Sequence, residues 1–92
     1  MKDKDRIVIS GIGVIAPNGI GKDAYWDAIK NGKSGVGLIS LFDPTEHKTR
    51  IAGEVKDFDP EEYMDKKMAR RMSRFSQFAL AAAKMAKEDA KL

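Results

Sequence analysis

The chain contains no cysteine and only one histidine, His47. Without cysteine it cannot form a disulfide scaffold, a thiolate zinc site or a cysteine nucleophile. One imidazole cannot build a metal site of several histidines, and His47 lies in a polar loop over residues 43–48. Most of the common catalytic apparatus is thereby excluded, and we expect no bound metal and no cofactor.

Long apolar runs are missing as well. A membrane helix needs about 20 apolar residues, and no stretch of the sequence approaches that length. The first six residues carry charges of both signs, and the apolar run that follows is interrupted by Gly11, Gly13 and Pro17. This pattern differs from that of a secretory signal. We expect a cytoplasmic protein with no membrane partner.

The composition is that of a small globular protein with an uneven charge. Hydrophobic residues make up 42% and charged residues 34%, and 92 residues form one small domain at most. The formal net charge is +3, but residues 66–92 hold eight bases and two acids, whereas residues 1–65 hold nine bases and 12 acids. This asymmetry favours an acidic partner for the C-terminal third.

Hydrophobic periodicity and turn residues predict a mixed α/β, helix-rich order of elements. We predict strands over residues 6–15 and 49–55, a loop over 33–37, and helices over 22–32, 59–64, 66–72 and 73–90. Asp59 and Asp65 are predicted to cap the helices that follow them. The aromatic residues expected in the core are Tyr25, Trp26, Phe75 and Phe78. Two strands are too few for a parallel sheet, so we expect the beginning of a larger α/β domain.

Two glycines after the first predicted strand admit two interpretations. Residues 11–16 match the dinucleotide-binding pattern GxGxxG/A. That chemistry requires the glycine turn to open directly into a helix, but Pro17 and Asn18 intervene, and the acids that follow come too soon to bind a ribose. The alternative, which we favour, is that Gly11 and Gly13 let the strand pack closely against another element.

Basic residues recur at the start of the C-terminal helical region. On one helix, the three- and four-residue spacing of Lys67, Arg70, Arg71 and Arg74 would form a basic ridge, with Lys66 beside it. Such a ridge suits an acidic or phosphate-bearing partner, since arginine makes forked contacts with both groups. The alternative is an ordinary solvated face.

Taken together, these segments resemble the N-terminal region of the β-ketoacyl-acyl carrier protein synthases, and the type II elongating enzymes in particular. The segments that carry the resemblance are RIVISGIGV at 6–14, GKSGV at 32–36, FD at 42–43, RIAGEVKDFDP at 50–60 and ARRMSRFSQFALAAA at 69–83. Their order and spacing extend over nearly the whole chain.

The resemblance implies a thiolase-like fold, layered αβαβα, and a homodimeric parent enzyme. It implies an acyltransferase that condenses an acyl-enzyme with malonyl-carrier protein, using a cysteine nucleophile and two histidines. No position of this chain replaces those three residues, so we expect residues 1–92 to be an incomplete N-terminal part of a synthase domain, without catalytic residues and inactive alone. Lys91 stands where the family usually has glycine after the long helix.

One function of the family depends on residues that this chain contains. In similar synthases, basic residues at this position help to dock the acidic acyl carrier protein, which implies that role for Lys67, Arg70 and Arg71, with Lys66 and Arg74 as neighbours. Our first hypothesis is therefore part of a condensing enzyme for fatty acid or polyketide synthesis, with a carrier-protein dock and no nucleic-acid partner. The alternative is a small stand-alone basic module that binds nucleic acid or another polyanion.

Overall fold

The computed structural model describes residues 5–92, which form two antiparallel hairpins and three α-helices. Strand β1 pairs with β2, and β3 pairs with β4. The elements are β1 (Ile15–Ala16), β2 (Gly19–Ile20), α1 (Lys22–Lys30), β3 (Val36–Leu38), β4 (Ile51–Gly53), a 3-10 turn (Pro60–Glu62), α2 (Lys66–Arg71) and α3 (Arg74–Asp89). The helices confirm the predicted helical segments, with ends that differ by a few residues.

The predicted first strand is wrong over most of its length. Residues 6–14 form no strand, and only Ile15 of that segment enters β1. Ile7 and Ile9 are 91% and 85% exposed. A strand that is apolar on both faces requires neighbouring strands as well as covering helices. The described part of the chain packs α3 against Gly11 and Gly13 but pairs no strand with residues 6–14.

The second hairpin contains a strand in a segment that the sequence predicts to be a loop. The segment predicted as a loop, 33–37, contains the start of β3, and β4 occupies the centre of the predicted strand 49–55. Gly37 lies opposite Ala52 in this pair. The carboxylate of Glu54 accepts hydrogen bonds from the Ser40 hydroxyl at 2.8 Å and from the Leu41 amide at 3.1 Å. The Ser40 hydroxyl bond is the main reason that the pKa of Glu54 lies below its usual value.

Gly11 and Gly13 pack directly on the backbone of α3. A Cβ atom on Gly13 would lie 1.9 Å from the carbonyl oxygen of Ala82, and one on Gly11 would lie 2.3 Å from that of Ala86. The packing interpretation of these glycines is therefore confirmed, because the backbone of α3 occupies the space that a side chain would need. The first hairpin then separates them from the start of α1 at Lys22.

Asp89 fastens the N-terminal segment and α1 to the end of α3. One carboxylate oxygen accepts the Ile12 amide at 3.0 Å, and the other pairs with the Lys22 ammonium. The bonds from Lys22 and Ile12 hold the pKa of the Asp89 carboxyl below its usual value. The contact therefore weakens when the carboxylate is protonated at low pH.

The core is thin and built largely from small side chains. The buried hydrophobic residues are Ala28, Met64, Ala69 and Ala81. The expected aromatic core is wrong in two positions, because Trp26 is 59% and Phe75 is 77% exposed, whereas Tyr25 and Phe78 are half-buried. Helical periodicity placed these side chains on an apolar face, but no described element covers that face at Trp26 and Phe75.

Helix α3 ends in a Schellman motif. The Leu92 amide bonds to the Lys87 carbonyl and the Lys91 amide to the Glu88 carbonyl, both at 3.1 Å. Lys91 has a φ of 61°, in the left-handed region that glycine occupies without steric cost. Lys91 therefore ends the helix in a conformation that is less favourable for a residue with a side chain than for glycine.

Substitution of Gly13 by alanine tests the close approach to α3. We expect Gly13→Ala to lower the free energy of unfolding by more than about 2 kcal/mol, because the added methyl would overlap the Ala82 carbonyl. Gly37→Ala is the matched control, since a Cβ there meets nothing within 4 Å. Urea unfolding of both variants gives the comparison, and equal stabilities would contradict the packing described here.

Substitution of Lys91 tests the helix end. We expect Lys91→Gly to raise the free energy of unfolding by about 0.5–1 kcal/mol, because glycine relieves the left-handed strain of a side-chain-bearing residue. Lys87→Gly, in the helical body of α3, should lower it by about 1 kcal/mol. Urea unfolding would contradict the assignment if both substitutions changed stability in the same direction.

Candidate functional site

Helix α2 carries four of the five candidate residues and begins at a well-formed cap. The Asp65 carboxylate accepts the Met68 amide at 2.6 Å, which confirms the predicted N-cap. The preceding 3-10 turn is capped in the same way by Asp59, which accepts the Glu61 amide at 3.0 Å. Because α2 has only six residues, it needs contacts with other elements to remain helical.

Helix α3 provides those contacts on the inner side of α2. The side-chain amide of Gln77 donates to the Ala69 carbonyl at 2.9 Å, and Ala69 itself is buried. The Lys84 ammonium donates to the Tyr63 carbonyl just before α2. Met64 is also buried in this region. These contacts fix the inner side of α2, and the four basic side chains of the helix remain exposed: Lys66, Lys67, Arg70 and Arg71.

Arg74 does not continue the basic row of α2. Met72 and Ser73 adopt extended ψ angles of 140° and 160°, so one helix ends and the next begins between Arg71 and Arg74. The Arg74 guanidinium donates to the Val55 carbonyl at 2.8 Å. The predicted single ridge through Lys67, Arg70, Arg71 and Arg74 is therefore wrong, because the helix breaks between Arg71 and Arg74.

Two aromatic rings also hold Arg74. Its guanidinium carbon lies 5.8 Å from the ring centroid of Phe58 and 5.0 Å from that of Phe78. The two rings meet edge to face, with centroids 5.1 Å apart. Cation–π contacts of this geometry, together with the bond to Val55, engage the guanidinium within the chain. Arg74 therefore ties the loop after β4 to the start of α3.

The basic residues of α2 border two separate surface clefts. Lys67 and Arg71 line an open cleft of about 320 Å³ together with Asp65, Met68 and Met72. The second cleft has a volume of about 360 Å³ and contains two acidic residues beside the basic ones. Its lining residues are Asp59, Pro60, Glu61, Lys66, Ala69, Arg70 and Gln77. This division was not predicted, although the four-residue spacing of Lys66 with Arg70 and of Lys67 with Arg71 in the sequence carries the signal.

The remaining candidate chemistry of the described residues is limited. Within residues 5–92, no group of three or more His, Asp or Glu side chains is placed to hold a metal ion. His47 contacts the Phe42 ring edge to face, with centroids 5.5 Å apart, in the loop between β3 and β4. No helix of this part of the chain is both long and apolar enough to cross a membrane. The exposed basic face of α2 is thus the principal candidate site.

Comparison with known proteins places the chain among the ketosynthases. The family model of the β-ketoacyl synthase N-terminal domain matches residues 4–92. The chain is 43% identical over 90 residues to the 3-oxoacyl-[acyl-carrier-protein] synthase 2 of Synechocystis, covering 98% of the chain and 22% of that relative. It is 46% identical over 88 residues to a putative polyketide β-ketoacyl synthase 1 of Streptomyces halstedii, covering 95% of the chain and 21% of that relative.

A solved structure shares the same fold. The ishigamide ketosynthase/chain length factor superposes with a TM-score of 0.84 at 38% identity, over 92% of this chain and 21% of that one. The likeness confirms the thiolase-like fold that the sequence resemblance implied. The chain spans about a fifth of the length of the curated relatives it matches. Because the model of the β-ketoacyl synthase N-terminal domain covers nearly all of its residues, the chain belongs to the β-ketoacyl synthase family.

Proposed function

We propose that this chain forms the N-terminal part of a 3-oxoacyl-acyl carrier protein synthase and carries part of the surface on which the carrier protein docks. The observation that carries the proposal is the face of α2, where four basic side chains are exposed. None of the four forms an ion pair with any residue of the 5–92 region. Their charges are therefore available to the carboxylates of an acidic partner.

The physical chemistry of this face suits a transient protein partner. Exposed Lys and Arg side chains raise the rate of encounter with an acidic protein and orient it, but each solvated pair adds little affinity. Arg70 and Arg71 can each make forked contacts with a carboxylate, which fixes the orientation of the partner more strongly than lysine does. The cap at Asp65 and the bond from Gln77 hold the face in place before the partner arrives.

The condensation itself is assigned to residues outside this chain. The resemblance implies a cysteine nucleophile and two histidines, and the chain contains no cysteine and one histidine, in a loop. The exposed run Ile7–Ile9 supports the same division, because such a run is what a strand displays when its neighbours belong to another part of the protein. Residues 1–92 are therefore proposed to be an incomplete domain of a homodimeric enzyme.

Charge reversal on α2 tests the docking surface. We expect Arg70→Glu combined with Arg71→Glu to weaken binding of acyl carrier protein at least about tenfold, because two attractive contacts become repulsive. The matched control is Lys33→Glu with Lys48→Glu, which makes the same change in net charge at exposed loop positions. Fluorescence titration at two salt concentrations measures the affinity of both double variants for acyl carrier protein.

Two outcomes would count against this function. Equal weakening by the α2 pair and the loop pair would mean that only net charge matters. Binding of mixed-sequence duplex DNA with a steep salt dependence, and no binding of the carrier protein, would favour the polyanion-binding alternative.

An assay of condensation tests the proposed division of the enzyme. We expect the purified 92-residue chain, given acyl- and malonyl-carrier protein, to form no 3-oxoacyl product and no covalent acyl adduct, because it lacks a thiolate to accept the acyl group. Mass spectrometry detects both species, and a parallel reaction with a complete synthase shows that the substrates are competent. Condensation by the chain in a preparation free of complete synthase would overturn the proposal.

A further inference from the structure

We propose that the surface of this chain that binds the carrier protein is amphipathic and is centred on the cleft lined by Lys67, Met68 and Arg71. This cleft binds an apolar side chain of the carrier protein that is flanked by carboxylates. This inference rests on the proposed docking function and specifies the chemistry of the contact. It gives different roles to the two basic rows of α2, defined as the outer row, Lys67 and Arg71, and the inner row, Lys66 and Arg70.

Helical spacing places a basic row beside an apolar one. Lys67 and Arg71 are four residues apart, as are Met68 and Met72, so each pair lies one turn apart along the surface. All four residues line the same open cleft of about 320 Å³. Asp65 also borders this cleft, but its carboxylate accepts the Met68 amide as the helix cap. The cations of the outer row thus lie directly beside an apolar floor, which is formed by Met68 and Met72.

The apolar floor is accessible to a partner. Met68 is 47% exposed, and Met72 is half-buried at the end of the helix. Methionine has an unbranched, polarisable side chain that adapts to the shape of whatever packs on it. Burial of Met68 by an apolar side chain would therefore contribute binding free energy that charge alone does not provide.

The inner row has a different electrostatic setting. Lys66 and Arg70 line their cleft together with Asp59 and Glu61, so two carboxylates stand beside two cations. These carboxylates offset the positive potential and repel an acidic partner that approaches this side. The outer cleft contains one carboxylate, that of the cap Asp65, whereas the inner cleft contains two, of which Asp59 is likewise a cap. An acidic partner is therefore drawn more strongly to Lys67 and Arg71.

The surface defines the chemistry of its occupant. A partner segment that fits has carboxylates for Lys67 and Arg71 and an exposed aliphatic or methionine side chain for Met68. A nucleic acid would satisfy the cations with phosphates but would leave the methionine floor uncovered. Charge complementarity and the adjacent apolar floor together favour an amphipathic acidic face of the carrier protein.

The two parts of the surface should control different rate constants. Charged contacts at the edge of an interface mainly set the association rate and its salt dependence. Apolar contacts that become buried mainly set the dissociation rate. Substitutions of Met68 and of the outer row are therefore distinguishable by kinetics.

Stopped-flow binding of the 92-residue chain to acyl carrier protein separates these roles. We expect Met68→Gln to raise the dissociation rate by about five- to tenfold while the association rate and its salt dependence stay within about twofold. Met68→Leu is the matched control and should resemble the parent chain. Both replacements favour helix at this exposed position, so they preserve α2.

The same measurement compares the basic rows. We expect Lys67→Ala with Arg71→Ala to lower the association rate and flatten its salt dependence more than Lys66→Ala with Arg70→Ala does. An unchanged dissociation rate in Met68→Gln, or equal effects of the two rows, would overturn this inference. Loss of binding in the Arg70→Glu, Arg71→Glu variant would then still support the docking function. Retention of binding in that variant would count against the docking function itself.

Discussion

The close approach of other elements to helix α3 is the constraint on which the rest of the structure depends. The N-terminal segment reaches α3 only because Gly11 and Gly13 leave no Cβ between its backbone and the helix. On another part of α3, Gln77 bonds to the Ala69 carbonyl and Arg74 bonds to the Val55 carbonyl. Ala81, with no exposed surface, lies between these polar contacts and the glycine contacts at Ala82 and Ala86 along the helix. Small residues and directed bonds thus organise a chain whose core contains few large side chains.

The position of α2 follows from this arrangement. A six-residue helix gains little from its own hydrogen bonds, so its persistence depends on the cap at Asp65 and on attachment to α3 through Gln77. Both bonds involve side chains that carry no positive charge. The structural and electrostatic roles are therefore assigned to different residues, which leaves the four basic side chains exposed. Arg74 is the exception among the basic candidates, because its guanidinium holds the loop after β4 and two aromatic rings.

Local signals in the sequence were sufficient to predict the helices and their caps, but not to predict which residues are buried. The periodicity of α3 and the caps at Asp59 and Asp65 depend on neighbouring residues, and all three were predicted correctly. The strand predicted over residues 6–15 and the burial of Phe75 depend on covering elements that the described chain does not provide. Strand β3 was hidden in a glycine-rich segment, because its pairing with β4 is a non-local interaction. The basic residues were found from charge and their docking role from the family resemblance, whereas the different surroundings of the two rows required the positions of Asp59 and Glu61 in the fold.

The distinction between the two rows bears on how such a surface recognises a carrier protein. Positive charge alone attracts any polyanion, so a surface built only from Lys and Arg would discriminate weakly between an acidic protein and a nucleic acid. An apolar side chain next to the charges changes this, because only a partner that presents both chemistries together buries it. On the proposed surface the apolar contact at Met68 is small, so it slows dissociation only moderately. A synthase that receives substrates on successive carrier proteins needs release as well as capture. On the proposed surface Lys67 and Arg71 attract the partner, and Met68 adds selectivity through a contact small enough to permit release.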